Sequence, residues 1–428
     1  MIRRTLFEWQ SIAYGDDAES EIPTWAADRL VAVARKSPLG GENGARILAH
    51  GRSALRAQQV VGIVAANNCA LEILPKIDVP AASDEHAAQG LIRRKLVHLL
   101  AVAMDLDIDA GRVTDLGWQK DNLLEILIRL FSLKLIDAVR QGMPRHYVAH
   151  EEDLATLRGR LDVGRQFTRL AANPARLACR FDEFSPDIAI NRIMRATLDR
   201  LRRISQSPDN QRRLAELAFS YADITPVSQH ALRWDDVRLD RTNARWKDLL
   251  ALARLLLGER FQTTSMGEQL GFSLLFEMNT LFEEYIGRMM RRALSGSGLS
   301  VHLQGGRLYC LEAAEDGRRT FQTKPDILVK RGREVVHILD TKWKRVAARI
   351  DDPKQGVSQA DVYQMMAYGQ LYGCSALTLL YPHHSALRSV PGSLGRYRVG
   401  STAQQLHMAS VDIADHKAVV GQLRALLL

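Results

Sequence analysis

The chain has 428 residues, 46% hydrophobic and 25% charged, the balance of a folded globular protein long enough for two or three domains. No apolar run approaches the roughly 18–20 residues that cross a bilayer, so a membrane role is not expected. The net charge is +9, carried mainly by 46 arginines against 12 lysines; the planar guanidinium binds phosphate through two parallel bonds, so this balance permits nucleic acid without proving it.

The first residues, MIRRTLFEWQ, have two arginines but no apolar stretch behind them, which argues against secretion. Cys69, Cys179, Cys310 and Cys374 are far apart and form no CxxC pair. They read as small buried hydrophobes in a reducing cytoplasm, not as a zinc site or a disulfide framework.

The first 115 or so residues read as a mixed, β-rich domain. A helix is expected near 23–36. The stretch QQVVGIVAANNCALEILPKID (58–78) gives two strands around an Ala-Ala-Asn-Asn turn, a hairpin signal. A second helix is expected near 90–104. Residues 116–257 read as a mainly helical connecting region. It opens with a helix over 120–142 closed by Gly142. A β pair at 157–169 and 175–185 follows, then a helix at 185–205 with Ser185 as its cap and Pro186 just inside. Residues 258–428 change character. The pattern predicts a long helix at 272–294, strands near 301–311, 320–330 and 334–343, a helix at 358–372, a strand at 376–381 and a C-terminal helix at 413–427. The fold class expected is multi-domain α/β, with strands and helices mixed in the last third.

The chemistry concentrates in KPDILVKRGREVVHILDTKWK (324–344). Two apolar strands flank the turn Arg331-Gly332-Arg333, where Gly332 can take positive φ. Folding back there brings Asp326 beside the end of the second strand, near Asp340. Strand alternation puts Asp340 and Lys342 on one face. Two close carboxylates repel unless a cation intervenes; a divalent Mg²⁺, or Mn²⁺, bound by hard oxygens would serve. Such an ion activates water and stabilises charge as a P–O bond breaks. The pattern Pro325-Asp326 … Asp340-Thr341-Lys342 is the PD-(D/E)xK nuclease signature, with Asp326, Asp340 and Lys342 as catalytic candidates and the two acids as metal ligands. The same residues also suit a surface hairpin closed by an Asp–Lys ion pair.

Two neighbours fit the nuclease reading. On the expected 272–294 helix, Glu283 flanks an apolar stripe through Leu275, Met278, Phe282, Tyr285 and Met289, while Glu284 shares a polar face with Arg288. Glu283 is thus the candidate third metal ligand, the alternative being an ordinary helix-edge carboxylate. In DVYQMMAYGQLY (361–372), Gln364 and Tyr368 lie one turn apart and could brace DNA or the attacking water.

With these residues in place the chain resembles the McrC family, the nuclease subunit of McrBC-type restriction systems. The likeness runs through VVGIVAANNCALEILPKID, HYVAHEEDLATLRGRLDV, FDEFSPDIAINRIMRATL, MNTLFEEYI, KPDILV, ILDTKWK and DVYQMMAYGQLY, in the family's order. The resemblance implies a C-terminal restriction-endonuclease-like core and a Mg²⁺-dependent endonuclease acting on methylated or otherwise modified DNA. It further implies an N-terminal part that docks into a hexameric AAA+ GTPase, McrB, and stimulates its GTPase. The sequence agrees on one point: there is no GxxxxGK[ST], and GGENGARI (40–47) lacks the Lys-Ser/Thr needed to grip phosphates, so no nucleotide is expected on this chain itself. Two other readings stay open: a free-standing RecB/Cas4-type exonuclease, suggested by Gln364 and Tyr368, and a non-catalytic adaptor that activates an AAA+ motor.

Overall fold

The computed structural model describes residues 2–17, 20–41, 44–79, 84–106, 121–173, 175–241, 243–258, 271–352 and 356–427. Two compact units emerge: one of Met1–Leu124 together with Arg260–Leu428, the other Glu125–Glu259. The boundary expected at 115/116 lies outside the described residues. The class is mixed α/β, as expected. No described helix is long and apolar enough to cross a membrane.

In the first unit, a four-stranded sheet runs in the order Ile2–Phe7, Cys69–Leu74, Val60–Ala66, Phe272–Glu277. The expected hairpin forms its middle, Val60–Ala66 against Cys69–Leu74, with Asn68 at positive φ in the turn. The helix Thr24–Lys36 covers one face with Ala27, Leu30 and Val31, which share a core with Leu6, Val64, Leu71 and Leu275. The long helix expected at 272–294 splits. FSLLFE is a strand paired with Val60–Ala66, and only Met278–Ala293 is helical. A short, continuously apolar run has no periodicity to tell strand from helix, and here five of its six residues are buried as the sheet's edge partner. Gly62 makes that pairing possible. Its φ is +131°, and a Cβ there would lie 1.9 Å from the Leu274 carbonyl oxygen.

The six-stranded sheet runs Ser300–Leu303, Ile327–Arg331, Glu334–Thr341, Ala376–Pro382, Gln405–Val411, Gly392–Arg398. Glu334–Thr341 and Ala376–Pro382 are parallel, joined through the helix Gln359–Leu371. That helix seats Met365 and Tyr368 on a core with Leu328, Ile338, Leu377 and Met408. The strands expected near 301–311 and 320–330 are each interrupted, with Tyr309–Glu312 and Arg319–Gln322 forming a separate two-stranded ribbon. Two strands, Gly392–Arg398 and Gln405–Val411, were not expected, and the last helix starts at Val419, not 413. Cys310 is exposed on that ribbon, unlike the other three cysteines, which are buried; all four are free.

In the second unit, Leu177–Ser185 pairs along its whole length with His146–Leu154, a polar strand that apolar patterning does not reveal. The expected partner 157–169 contributes only Arg160–Leu161. Beyond it Asp162 accepts the Arg165 N–H at 3.1 Å and caps a short helix, Val163–Thr168. The helix expected from Ser185 begins at Ala189, because Ser185 still belongs to the strand and its hydroxyl accepts the Asp187 N–H. Pro208–Ser220 and Lys247–Leu257 continue the helical region. Glu125, 4% exposed, ties it together by accepting from Ser205 Oγ at 2.8 Å and Asn210 Nδ2 at 2.7 Å.

Candidate active site

The antiparallel register of Ile327–Arg331 and Glu334–Thr341 pairs Ile327 with Leu339, so Asp326 and Asp340 stand one residue further on, opposite one another. Gly332 turns the hairpin at φ +61°. Thr341, between the second acid and the lysine, binds Asp326 Oδ2 twice, through its N–H at 2.8 Å and its hydroxyl at 3.0 Å. Lys342 N donates to the Leu380 carbonyl at 2.9 Å, which fixes the lysine against the next strand. Its ammonium rests on Asp340 Oδ2 and lies 3.9 Å from Asp361 Oδ1.

Asp340 is only 1% exposed, and its Oδ1 has no hydrogen-bond partner. A surface hairpin with a solvated ion pair does not match that burial. Burial, then the neighbouring Glu283 charge, pushes Asp326 up to about 6, against the pull of Thr341 and Lys342. Burial, then Asp326, does the same to Asp340, again to about 6. For Lys342 burial favours the neutral amine, but Asp340, Asp326 and Asp361 outweigh it and hold the group above its usual value. Two ionised acids behind one ammonium leave this corner of the sheet short of positive charge at neutral pH.

Glu283 sits half-buried on Met278–Ala293. Burial raises its pKa most, Gln304 hydrogen-bonds it, and its charge is felt by Asp326. Glu284 instead reaches Arg288 at 4.0 Å on the polar face. Gln364 Nε2 donates to the Tyr368 hydroxyl at 2.6 Å. Burial raises the Tyr368 pKa, with Asp340 and Asp326 adding to it and Lys324 bonding it through the backbone. The structure therefore brings Asp326, Asp340 and Lys342 into contact and sets Glu283 and the Gln364–Tyr368 pair within electrostatic reach.

Among the described residues no three His, Cys, Asp or Glu side chains form a ready-made metal cage. The fit to a divalent cation rests on two carboxylates and an orphaned buried oxygen, Asp340 Oδ1. That suits Mg²⁺, which keeps several of its waters and takes one or two carboxylates.

Sequence reasoning missed Asp361. It precedes Gln364 by three residues on the same helix face, and its position is set by the Ser358 hydroxyl capping its N–H at 3.1 Å. It also missed Asn279, whose Oδ1 accepts the Trp343 N–H at 3.0 Å just past the lysine; Asn279 lies in the same MNTLFEEY run as Glu283. Gln304 and Lys324 carried no local signal. A separate cavity of about 760 Å³ in the second unit is lined by His146, Asp187, Arg192 and Arg238 among others. Its Asp187 is clasped by Arg192 at 2.7 Å and by Thr225, which hold it well below the usual carboxylate range. A carboxylate so firmly ionised and paired is a structural tie, not a reactive acid.

The profile of a family described as McrBC 5-methylcytosine restriction system component matches residues 55–382. No curated protein matches the chain. Among solved structures, a chain in the half-complex of the tetradecameric assembly of Thermococcus gammatolerans McrB AAA+ hexamers with bound McrC superposes with a TM-score of 0.73. It is 22% identical, and the match covers 99% of both chains. A chain of the T. gammatolerans McrBC complex gives 0.55 at 24% identity, covering 68% of this chain and 88% of that one. At such identities the likeness is one of fold.

Proposed function

Because the chain belongs to the family of McrBC 5-methylcytosine restriction system components, we propose that it is the system's nuclease subunit. It hydrolyses phosphodiester bonds of modified DNA in the cytoplasm and works with an McrB-like AAA+ GTPase whose activity it stimulates. The observation that carries the reading is the pair of the part-buried Asp326 and the fully buried Asp340, both held near pKa 6, with Lys342 on the second acid. A protein core has no use for that concentration of charge, and a phosphate-cleaving site does.

In this reading Asp326 and Asp340 hold Mg²⁺ or Mn²⁺, with Glu283 as a third acidic neighbour; the bound ion supplies Lewis acidity at the scissile phosphate and a more acidic water. Thr341 fixes the Asp326 carboxylate by two hydrogen bonds, so its remaining oxygen is oriented before substrate arrives. Lys342 stands beside Asp340 as a fixed cation, suited to orient the attacking water and to offset negative charge on the phosphate. Asp340 first, then Asp326 and Asp361, keep that lysine charged. The Gln364–Tyr368 pair braces the same corner.

The partner is supported by the family and by the fold shared along the full length with a chain from an McrB–McrC assembly. Alanine at Asp340 is expected to lower cleavage by at least about 10³-fold while leaving stimulation of the partner's GTPase intact. Full cutting by that variant sinks the assignment. A parent chain that cuts DNA without partner or GTP supports the exonuclease reading instead.

A further inference from the structure

The strand that carries Asp340 ends at Thr341, and the chain just beyond it, past Lys342, forms part of the wall of a cavity. Trp343 follows the lysine, and its indole N–H donates to Glu8 Oε1 at 2.8 Å. The cavity, about 410 Å³, is lined by Glu8, Trp9, Gln59, Lys76, Trp343 and Arg345, among others. That volume lies within the range of small-ligand sites.

Four features in and beside it converge. Trp9 is 42% exposed and sits at φ +64°, a backbone conformation that bulky side chains seldom take, in the tight turn closed by Gln10 N donating to the Phe7 carbonyl. Arg56 lies over its ring, 5.8 Å from the centroid. Lys76 is exposed and makes no ion pair among the described residues, its N–H being held by Glu8 Oε1 at 2.8 Å. Glu8 is only 2% exposed, and its second carboxylate oxygen has no partner.

The rim is pre-set. Arg345 is clamped on Asp78, which Ser385 also binds at 2.6 Å, and Lys344 Nζ donates to the Gly356 carbonyl at 2.7 Å. Gln59 is anchored to the Trp343 carbonyl at 3.1 Å. A part-exposed aromatic ring beside cations and a buried hydrogen-bonding group is the chemistry that holds an unpaired nucleotide: the base stacks and the phosphates find the cations.

We propose that this cavity is a subsite for an unpaired nucleotide of the DNA strand, its base against Trp9 and its phosphate at Lys76 with Lys344 and Arg345. The proposal rests on the nuclease reading of the acidic pair, because the chain itself sets the spacing. Arg345 is three residues past Lys342, so their Cα atoms are no more than about 11 Å apart. At about 3.4 Å of rise per nucleotide this is within about three nucleotides of the scissile phosphate. The unpartnered Glu8 oxygen gives an exocyclic amino group, such as that of cytosine, an acceptor.

The test uses the full chain carrying Asp340→Asn, which stops the chemistry, and a labelled single-stranded 12-mer containing one 5-iodouracil. Irradiation is expected to cross-link the base to Trp9. Trp9→Gly, which takes positive φ freely, should weaken binding roughly 5- to 100-fold, while Trp9→Phe stays within about three-fold. Lys76→Ala should lower the salt dependence of binding by about one unit of slope. A cross-link elsewhere, with Trp9→Gly and Lys76→Ala binding like the parent, overturns the subsite. If the parent, given an McrB-like partner, GTP and Mg²⁺, fails to cleave methylated DNA while these binding results hold, the subsite stands and the nuclease reading falls. Cleavage with unchanged Trp9→Gly binding removes the subsite alone.

Discussion

Replacing Asp340 with Asn keeps the side chain's shape and removes a charge that the fold holds at a cost. The group's value in the folded protein, about 6, lies above its ordinary 3.8 because of burial and then Asp326. An acid raised in this way contributes stability below its unfolded value, and the contribution is lost as pH rises through the folded value. The shift is about two units, or about 3 kcal/mol, lost by the parent between about pH 4 and pH 7. At 1% exposure the group gets little relief from solvent. An asparagine at position 340 does not titrate there. The two proteins should therefore melt together near pH 4 and separate at pH 8, with the variant higher by roughly 5 °C. Millimolar Mg²⁺ should raise the parent toward the variant and leave the variant nearly unmoved, since a cation at the acids offsets the same repulsion. Calorimetric scans across pH, with and without Mg²⁺, measure it. A gap that does not change with pH, or one that Mg²⁺ leaves open, refutes the claim that burial and the neighbouring Asp326 charge raise Asp340.

Three further outcomes follow from other parts of the molecule. Gly62→Ala places a Cβ against the Leu274 carbonyl at a φ that disfavours it; we expect a loss of about 3 kcal/mol or more in urea unfolding, and parent-like unfolding would contradict the pairing of Val60–Ala66 with Phe272–Glu277. Arg93→Ala takes from Glu72, 3% exposed, the guanidinium that holds it at 2.8 Å, and leaves a buried carboxylate to the Leu123 N–H and the Thr5 hydroxyl. The expected cost is about 3–5 kcal/mol, whereas removing both groups together (Glu72→Met with Arg93→Met) should cost far less. Glu283→Gln removes the second-largest push on Asp326 and a third acidic neighbour. Cleavage should fall about 10- to 100-fold with a higher Mg²⁺ requirement, and unchanged kinetics would return Glu283 to an ordinary helix edge.

What the sequence discloses best is the hairpin, because its information is local. Gly332 sets the turn, the apolar runs set the strands, and period-two alternation sets which face Asp340 and Lys342 share. The turn alone would set Asp326 opposite Leu339; a bulge between Val329 and Lys330 shifts the register by one residue and brings Asp326 opposite Asp340. The burial that perturbs those acids is not local. It depends on Met278–Ala293 and Gln359–Leu371 packing over the sheet, and so do the contributions of Asp361 and Gln304. Two errors of pattern have one cause. FSLLFE read as the start of a helix, and HYVAHEEDL as no element at all, because hydrophobic periodicity reports which faces are buried, not which strand lies alongside. A continuously buried strand and a nearly solvated one both lack the alternation by which strands are recognised. The stretch 206–260 shows no motif of its own, and the place of Asn210, like that of Ser205 just before it, is defined by its bond to Glu125, some eighty residues away.

The most direct test of the account is cleavage of methylated and unmethylated DNA by the parent chain and its Asp340→Asn variant, with and without an McrB-like AAA+ partner, GTP and Mg²⁺. The account predicts double-strand cutting of methylated DNA only with parent, partner, GTP and Mg²⁺ together, and GTP hydrolysis stimulated equally by both chains. Cutting by the Asp340→Asn chain at the parent's rate, or cutting by neither under any combination, contradicts it.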